Sequence, residues 1–328
     1  MDVSVIIPAL NAEKTIERAV RSAMGQTLAS IEIVVVDDGS ADATSAIVTG
    51  LAREDTRVRL IQSAQRQGVS AARNKAIAAA SGAWFAVLDA DDWFASDRLA
   101  VLTGHGRDHG LDAVIDNLNR IDARTGKDLG PAFPPEWLAS DTPMSPSFPV
   151  IRDVPNRQKA GFGYCKPVFR RASFLEKVGC YDEDLRCSED LLALQLLLFR
   201  GGLVGTVCKS LYFYSVDPGS LSNKLGIEAD ISNANRKMTR EAKKNGLRDV
   251  ASFLQNRQTI IDYDYFSKLF KQGRYRLAVM FLSRMPFGIV ALQILRIAAR
   301  GLRLDLAMLD PRSPHWLRSR PWQPIGDH

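Results

Sequence analysis

Apolar residues fall into two kinds of run along the first hundred positions. Val3–Ile7, Ile31–Val36, Val58–Ile61 and Trp84–Leu88 are short, nearly unbroken and rich in β-branched side chains, the pattern of strands buried on both faces. Between them, near Ala12–Met24, Ala43–Arg53, Val69–Ala80 and Ser96–His109, the apolar positions recur at helical spacing. Strand–helix alternation of this kind predicts an α/β fold, a mostly parallel central sheet covered on both faces. Ligands of such open sheets bind beyond the carboxyl ends of the strands. The polar residues that follow the strands are therefore the candidates for chemistry.

One more strand is expected over Leu111–Asn119. Pro131–Pro155 is rich in proline and serine, with Phe133, Trp137 and Phe148 interspersed; a long irregular stretch inside a domain usually has a functional role or moves. Helical spacing returns at Ala172–Val178 and Glu189–Arg200, and Leu203–Tyr214 is strand-like. After about Gly226 the pattern is helical, which places a boundary there and makes 226–328 a separate helical extension.

Two strand ends are acidic: Asp37-Asp38-Gly39-Ser40 and Asp89-Ala90-Asp91-Asp92. Helix capping accounts for Ser40 or Asp42 alone. It does not account for five carboxylates at one edge of a sheet, where like charges repel unless a cation or a donor-rich ligand offsets them. Carboxylate oxygens suit Mg²⁺ or Mn²⁺, and Mg²⁺ is usually held by one or two carboxylates together with substrate phosphates. The cluster reads as a site for a divalent metal and a diphosphate.

Four motifs in order strengthen that reading: Pro8-Ala9-Leu10-Asn11, VVVDDGSADAT from Val34 to Thr44, QGVSAARN from Gln67 to Asn74, and LDADD from Leu88 to Asp92. Together they resemble the family-2 glycosyltransferases, over roughly residues 1–222, with members of the exopolysaccharide (succinoglycan) type most alike. The resemblance implies the GT-A fold, a nucleotide-sugar donor, a divalent metal cofactor (Mn²⁺ or Mg²⁺) and an inverting transfer. On this basis residues 1–110 bind the nucleotide-sugar and 111–225 form the acceptor side of one glycosyltransferase domain. Pro8 and Asn11 are expected in the loop after the first strand, beside the nucleotide. Asp38 matches a residue that accepts a hydrogen bond from uracil, and Arg73 a basic residue near the donor. Asp89 frames the acidic triplet on the donor side, Asp91 is the candidate metal ligand, and Asp92 lies close to ribose or metal.

Farther along, Glu189-Asp190 matches a Glu-Asp pair that opens a helix in the family, with Ser188 as its expected cap. Direct displacement of a nucleoside diphosphate needs one carboxylate to take the acceptor's hydroxyl proton, and Asp190 is the residue the resemblance assigns, with Glu189 beside it. The stretch from Tyr212 to Ser222 resembles a loop that closes over donor and metal. Many members carry Arg where this chain has Ser215 and His where it has Asp217; Asp217 can still offer an oxygen to the metal, but Ser215 brings no positive charge.

Composition narrows the alternatives. A nicotinamide dehydrogenase would place GxGxxG after the first strand, and Pro8–Lys14 contains no glycine. A sugar nucleotidyltransferase would have a glycine- and arginine-rich phosphate loop at the same place. A non-catalytic partner in a polysaccharide-making complex stays open because of Ser215 and Asp217. The four cysteines form no CxxC pair, which speaks against zinc and for a reducing compartment. No charged and apolar leader precedes the first strand, so the expected place is the cytoplasm.

Net charge is +6, with Lys and Arg dominant from Arg236 to Arg320. Within Tyr275–Leu306, Arg276, Arg284, Arg296, Arg300 and Arg303 interleave with apolar residues, and Trp316 and Trp322 follow. The longest apolar stretch, Met285–Leu295, is shorter than the ~20 residues a membrane span needs. The pattern suits a helix lying in the headgroup plane of the inner membrane face; a solvated helix or a homodimer interface are the other readings. A membrane surface, rather than nucleic acid, is the favoured anionic partner. With it comes a polyprenyl-diphosphate-linked saccharide as the expected acceptor.

Overall fold

Strand β1 (Val3–Ala9) is buried at every position, as an unbroken apolar run requires. It pairs in parallel with β2 (Ile31–Asp37) and β4 (Trp84–Val87), and β2 pairs in parallel with β3 (Val58–Gln62). Helices α1 (Ile16–Met24), α2 (Thr44–Glu54) and α3 (Val69–Ala79) make the crossovers. On α1 the buried residues are Ile16, Ala19, Val20 and Ala23, one face at helical spacing. Each fully buried Val or Ile of these strands contributes roughly 1.5–3 kcal/mol, so the register that puts them inside is strongly specified.

The chain continues through β5 (Trp93–Phe94), α4 (Arg98–Asp108), β6 (Ala113–Asp122), β7 (Asp128–Pro131), α5 (Phe148–Arg152), β8 (Val168–Arg170), α6 (Arg171–Lys177), α7 (Glu189–Phe199), β9 (Val204–Val216), α8 (Ile227–Lys244) and α9 (Arg248–Lys271). The computed structural model describes residues 1–153, 161–217 and 227–274. All strands join one sheet in the order β3-β2-β1-β4-β8-β6-β9-β5, with β7 beside β6.

The half of the sheet made by β1 to β4 is parallel, as the apolar runs predict. The other half is mixed: β8 runs antiparallel to β4 and to β6, β9 is parallel to β6, and β5 is antiparallel to β9. Strands β5, β7 and β8 have at most four residues each, too short for a periodicity to register. Pro8 is also a correction to expectation. It lies within β1, opposite Val36, not in the loop that follows. The β1–β4 ladder has already ended at Ile6–Val87, so a residue without an N–H is tolerated there.

Met1–Phe253 forms one compact unit, which continues past the boundary expected near Gly226. Packing explains why: α8 buries Ala234, Met238 and Ala242 against α7, with Arg186–Asp230, Arg200–Glu241 and Lys237–Asp182 pairing at its edges. Of the second unit, which begins at Leu254, the described part continues α9, where Phe266 and Phe270 stack at 5.9 Å. No helix among the described residues is long and apolar enough to cross a membrane. The arginine-rich stretch Tyr275–Leu306, with Trp316 and Trp322, lies outside the described residues.

Beneath the mixed half of the sheet is a buried ion pair. Arg98 donates from Nε and Nη2 to the two carboxylate oxygens of Asp116, at 3.0 and 2.8 Å, and from Nη2 to the Lys166 carbonyl at 2.6 Å. Both side chains are inaccessible to solvent. Removing one member strands the other's charge in the core, which costs about 3–5 kcal/mol. Asp116→Leu should therefore lower unfolding free energy by about that much in urea titrations. The double variant Arg98→Met/Asp116→Leu should lose clearly less.

Candidate active site

The two acidic strand ends and the start of α7 converge beyond the carboxyl edge of β1, β2 and β4, but most of their charge is already answered from within the protein. Asp37 turns back on its own loop, accepting from the Ser40 amide at 2.9 Å and from the Ser45 hydroxyl. Asp38 is buried, and its two oxygens accept the Gln67 and Gly68 amides at 2.8 Å each. Gly68 has φ +105, a conformation open to glycine and costly elsewhere, and it delivers the chain into α3. Asn11 is a clamp: its amide donates to Ser40 Oγ at 2.8 Å and its side-chain oxygen accepts the Ala41 amide at 2.9 Å. The loops after β1 and β2 are thereby held together, with Asn11 itself at φ 50.

The core of the site is a buried cluster of ions. Arg73, on α3, donates to Asp89 at 2.8 Å and to Glu189 at 2.5 Å, and its Nη1 lies 3.1 Å from Asp190 Oδ1. Lys166 lies 3.0 Å from Asp89 and hydrogen-bonds Asp190. Burial works against charge on Asp89, yet Lys166 and Arg73 hold its carboxyl well below the usual range. For Asp190 burial wins over the same two cations and the pKa is raised. Burial opposes charge on Lys166 too, and Asp190 and Asp89 more than restore it, so the amine stays protonated. Asp190 Oδ1 is buried and accepts no hydrogen bond. Its charge is paired with Arg73 Nη1, 3.1 Å away, while its hydrogen-bonding capacity stays unfilled.

Glu189 and Asp190 form the first turn of α7, where the helix dipole favours carboxylates. Ser188 is not the expected cap. It adopts φ 65 and its hydroxyl makes no capping bond; the left-handed residue instead turns the chain so that both acids start the helix beside Arg73. Strained non-glycine backbone of this sort gathers at functional sites, and Asn11 and Ser188 are the two such residues among those described.

Asp91 and Asp92 separate clearly. Asp92 is fully buried and fastens β9: it accepts from the Tyr212 hydroxyl and from the Ser215 amide, both at 2.7 Å. Burial, with Asp91 and Asp89 nearby, pushes its pKa well up. The Asp91 side chain is exposed at the rim, and no cation pairs with it among the described residues. Local desolvation and then Asp89 raise its pKa to about 6. Asp217 stands exposed just past β9.

Among the described residues no three His, Cys, Asp or Glu side chains are grouped to hold a metal ion unaided. The residues nevertheless fit a divalent cation shared with phosphates. Asp89, Asp91, Asp92, Glu189 and Asp190 face Arg18, Arg73 and Lys166, a formal excess of two negative charges. Asp91 is the exposed carboxylate of the five and makes no ion pair among the described residues, and one or two carboxylates are what Mg²⁺ commonly takes from protein.

Sequence reasoning missed Lys166 and Arg18. Lys166 was legible as the single charge in a run, Cys165 to Phe169, that is otherwise apolar and wholly buried. Arg18 carried no signal, since an arginine on the polar face of a helix is ordinary.

A sheet of this order, with an acidic loop after β4 and a carboxylate pair opening α7, defines a GT-A glycosyltransferase. The family model "Glycosyl transferase family 2" matches residues 4–179, and the chain belongs to that family. It is 33% identical over 98% of its length, and 92% of the relative's, to succinoglycan biosynthesis protein ExoO of Rhizobium meliloti (strain 1021). Over 97 residues, 30% of this chain and 38% of the relative, it is 40% identical to UDP-Glc:alpha-D-GlcNAc-diphosphoundecaprenol beta-1,3-glucosyltransferase WfgD of Escherichia coli. The S. aureus TarS 1-349 structure in complex with UDP-GlcNAc is similar in fold, with TM-score 0.70 over 87% of this chain and 82% of that one, at 21% identity.

The Asp91 pKa of about 6 gives a pH prediction with a definite sign. A folded-state pKa raised above the unfolded value means that Asp91 costs no stability below about pH 4 and progressively more as pH rises through 6. Asp91→Asn should thus gain in Tm relative to wild type between pH 5 and pH 7.5, as thermal melts without divalent ion can check. Mn²⁺ binding by wild type, followed by calorimetry with UDP present, should weaken as pH falls through 6.

Proposed function

We propose that this chain is an inverting hexosyltransferase of exopolysaccharide biosynthesis, which moves a sugar from a UDP-sugar to a hydroxyl of a lipid-linked saccharide. The observation that carries the reading is Asp190, a buried carboxylate of raised pKa with one oxygen lacking any hydrogen bond. A raised pKa makes the carboxylate a better base, and the orphan Oδ1 is the atom to receive the acceptor's proton. Lys166 and Arg73 hold Asp190 and Asp89 in fixed relation, so the base is aligned before substrate arrives. Glu189 keeps Arg73 in place through its 2.5 Å bond.

On the donor side, the Asn11 clamp and the Asp38 contacts with the 67–68 amides shape the nucleotide pocket, with Pro8 as its rigid floor. A carboxylate has about four acceptor sites, so Asp38 retains capacity for the base's ring N–H. Asp91, with Asp217 as a second oxygen, would hold a divalent ion, Mn²⁺ or Mg²⁺, whose chemistry there would be to neutralise charge on the departing diphosphate. The Asp92 carboxyl, engaged with Tyr212 and Ser215, holds the acidic loop against β9.

The names of relatives support the substrates: a succinoglycan protein aligned end to end, and a glucosyltransferase acting on an undecaprenyl-diphosphate-linked sugar. UDP-glucose is accordingly the first donor to try. An acceptor of that kind places the enzyme at the inner membrane face, with the arginine-rich tail as its contact with lipid.

The test is turnover of UDP-sugars, with and without Mn²⁺, by wild type and Asp190→Asn. Wild type should release UDP in a metal-dependent way. The variant should lose at least about a hundredfold in rate, the span expected of a general base, while its calorimetric affinity for UDP-sugar stays within about threefold, because the base acts on the acceptor rather than on the donor. Equal loss of rate and donor affinity would remove Asp190 from the role of base.

A further inference from the structure

The cations of the buried cluster are already paired with carboxylates, although Arg73 Nε makes no hydrogen bond among the described residues, which leaves open what meets the donor's negative charge besides a metal. Arg73 serves Asp89, Glu189 and Asp190, and Lys166 serves Asp89 and Asp190. Neither is available to an incoming anion without breaking a buried pair. Arg18, on α1, is different. It is exposed, and among the described residues it forms no ion pair. Its guanidinium carbon sits over the Trp93 ring, 3.8 Å from the centroid, and Trp93 stacks on Phe213 at 5.3 Å and 8°.

One nitrogen, Nη2, does all the anchoring: it donates to the Asp91 carbonyl at 2.6 Å and to Ser215 Oγ at 3.1 Å. Ser215 Oγ in turn donates to the same carbonyl at 2.5 Å. Both acceptors are neutral. The N–H groups on Nε and Nη1 have no protein partner among the described residues, and no carboxylate among them comes within ion-pair distance, so the charge at the rim of the acidic loop is offset only by the longer-range attraction of Asp92 and Asp91. A planar cation that is held from one corner, stacked on an aromatic ring and turned towards solvent is preorganised for a phosphate.

We infer that Arg18 is a phosphate-binding residue that grips the diphosphate of the nucleotide-sugar and of the departing nucleotide. This inference rests on the transferase reading above and adds a binding group that the sequence motifs do not contain. It also assigns a task to Ser215. The hydroxyl does not carry charge itself; it fixes the guanidinium that does. Trp93 and Phe213, on β5 and β9, then belong to the donor site as the support on which the guanidinium rests.

The experiment is titration of UDP and of uridine, with Mn²⁺, into the full chain as wild type, Arg18→Gln and Arg18→Lys. Arg18 is exposed, so any fall in Tm in either variant should be small, and melts of both are measured alongside. Arg18→Gln should weaken UDP by about tenfold, the loss of one charge-assisted contact, and leave uridine unchanged. Arg18→Lys should recover part of the loss, and the salt dependence of UDP binding should be shallower in Arg18→Gln. Unchanged UDP affinity in Arg18→Gln, or equal weakening of UDP and uridine, overturns the role of Arg18 alone. Failure of wild type to bind any of UDP, GDP or TDP overturns the transferase reading itself, and this role falls with it.

Discussion

The structure depends on a cluster of buried ions in which Arg73 and Lys166 are shared among Asp89, Glu189 and Asp190. Its members come from four places: α3, the loop after β4, the loop before β8 and the first turn of α7. Each ion would be prohibitively costly in the core alone. They persist because the fold brings all of them together at once, so the parallel half of the sheet and the mixed half cannot be separated without exposing unpaired charge. The same constraint fixes Asp89, Glu189 and Asp190 relative to one another. A rigid network of this kind is worth more to orientation than to net stability.

Around that cluster each acid has a distinct task, set by its partners rather than by its type. Asp37 and Asp38 hold loops through backbone amides. Asp92 secures β9 to the acidic loop. Asp89 is neutralised from two sides. Asp91 makes no ion pair among the described residues and is the exposed member of the set, its pKa raised to about 6. The chain belongs to glycosyl transferase family 2, and this division of tasks is the one that the proposed transfer requires.

Carboxylates at two strand ends were legible in the sequence, but their partners were not: Arg73, Lys166, Tyr212 and backbone amides answer most of the charge that repulsion alone would assign to a metal. Lys166 lies 77 positions from Asp89 and could be matched to it only in three dimensions. Ser188 shows the same limit at short range: its residue type favours a cap, while its observed φ of 65 serves the placement of Glu189 and Asp190.

The chain's own order of residues determined the parallel strands β1 to β4, their helices and the loops on which the chemistry sits, because side-chain periodicity and burial are local properties that a run of apolar residues states directly. The family, too, was legible, since its motifs are contiguous. Which acids are spent on structure and which stay free was decided only by tertiary structure. So were the mixed half of the sheet, the inclusion of α8 in the first unit and the exposed stacking of Arg18 on Trp93. These depend on pairings between distant segments, and the energy of a charge is set by what stands within a few ångströms of it, not by its neighbours along the chain.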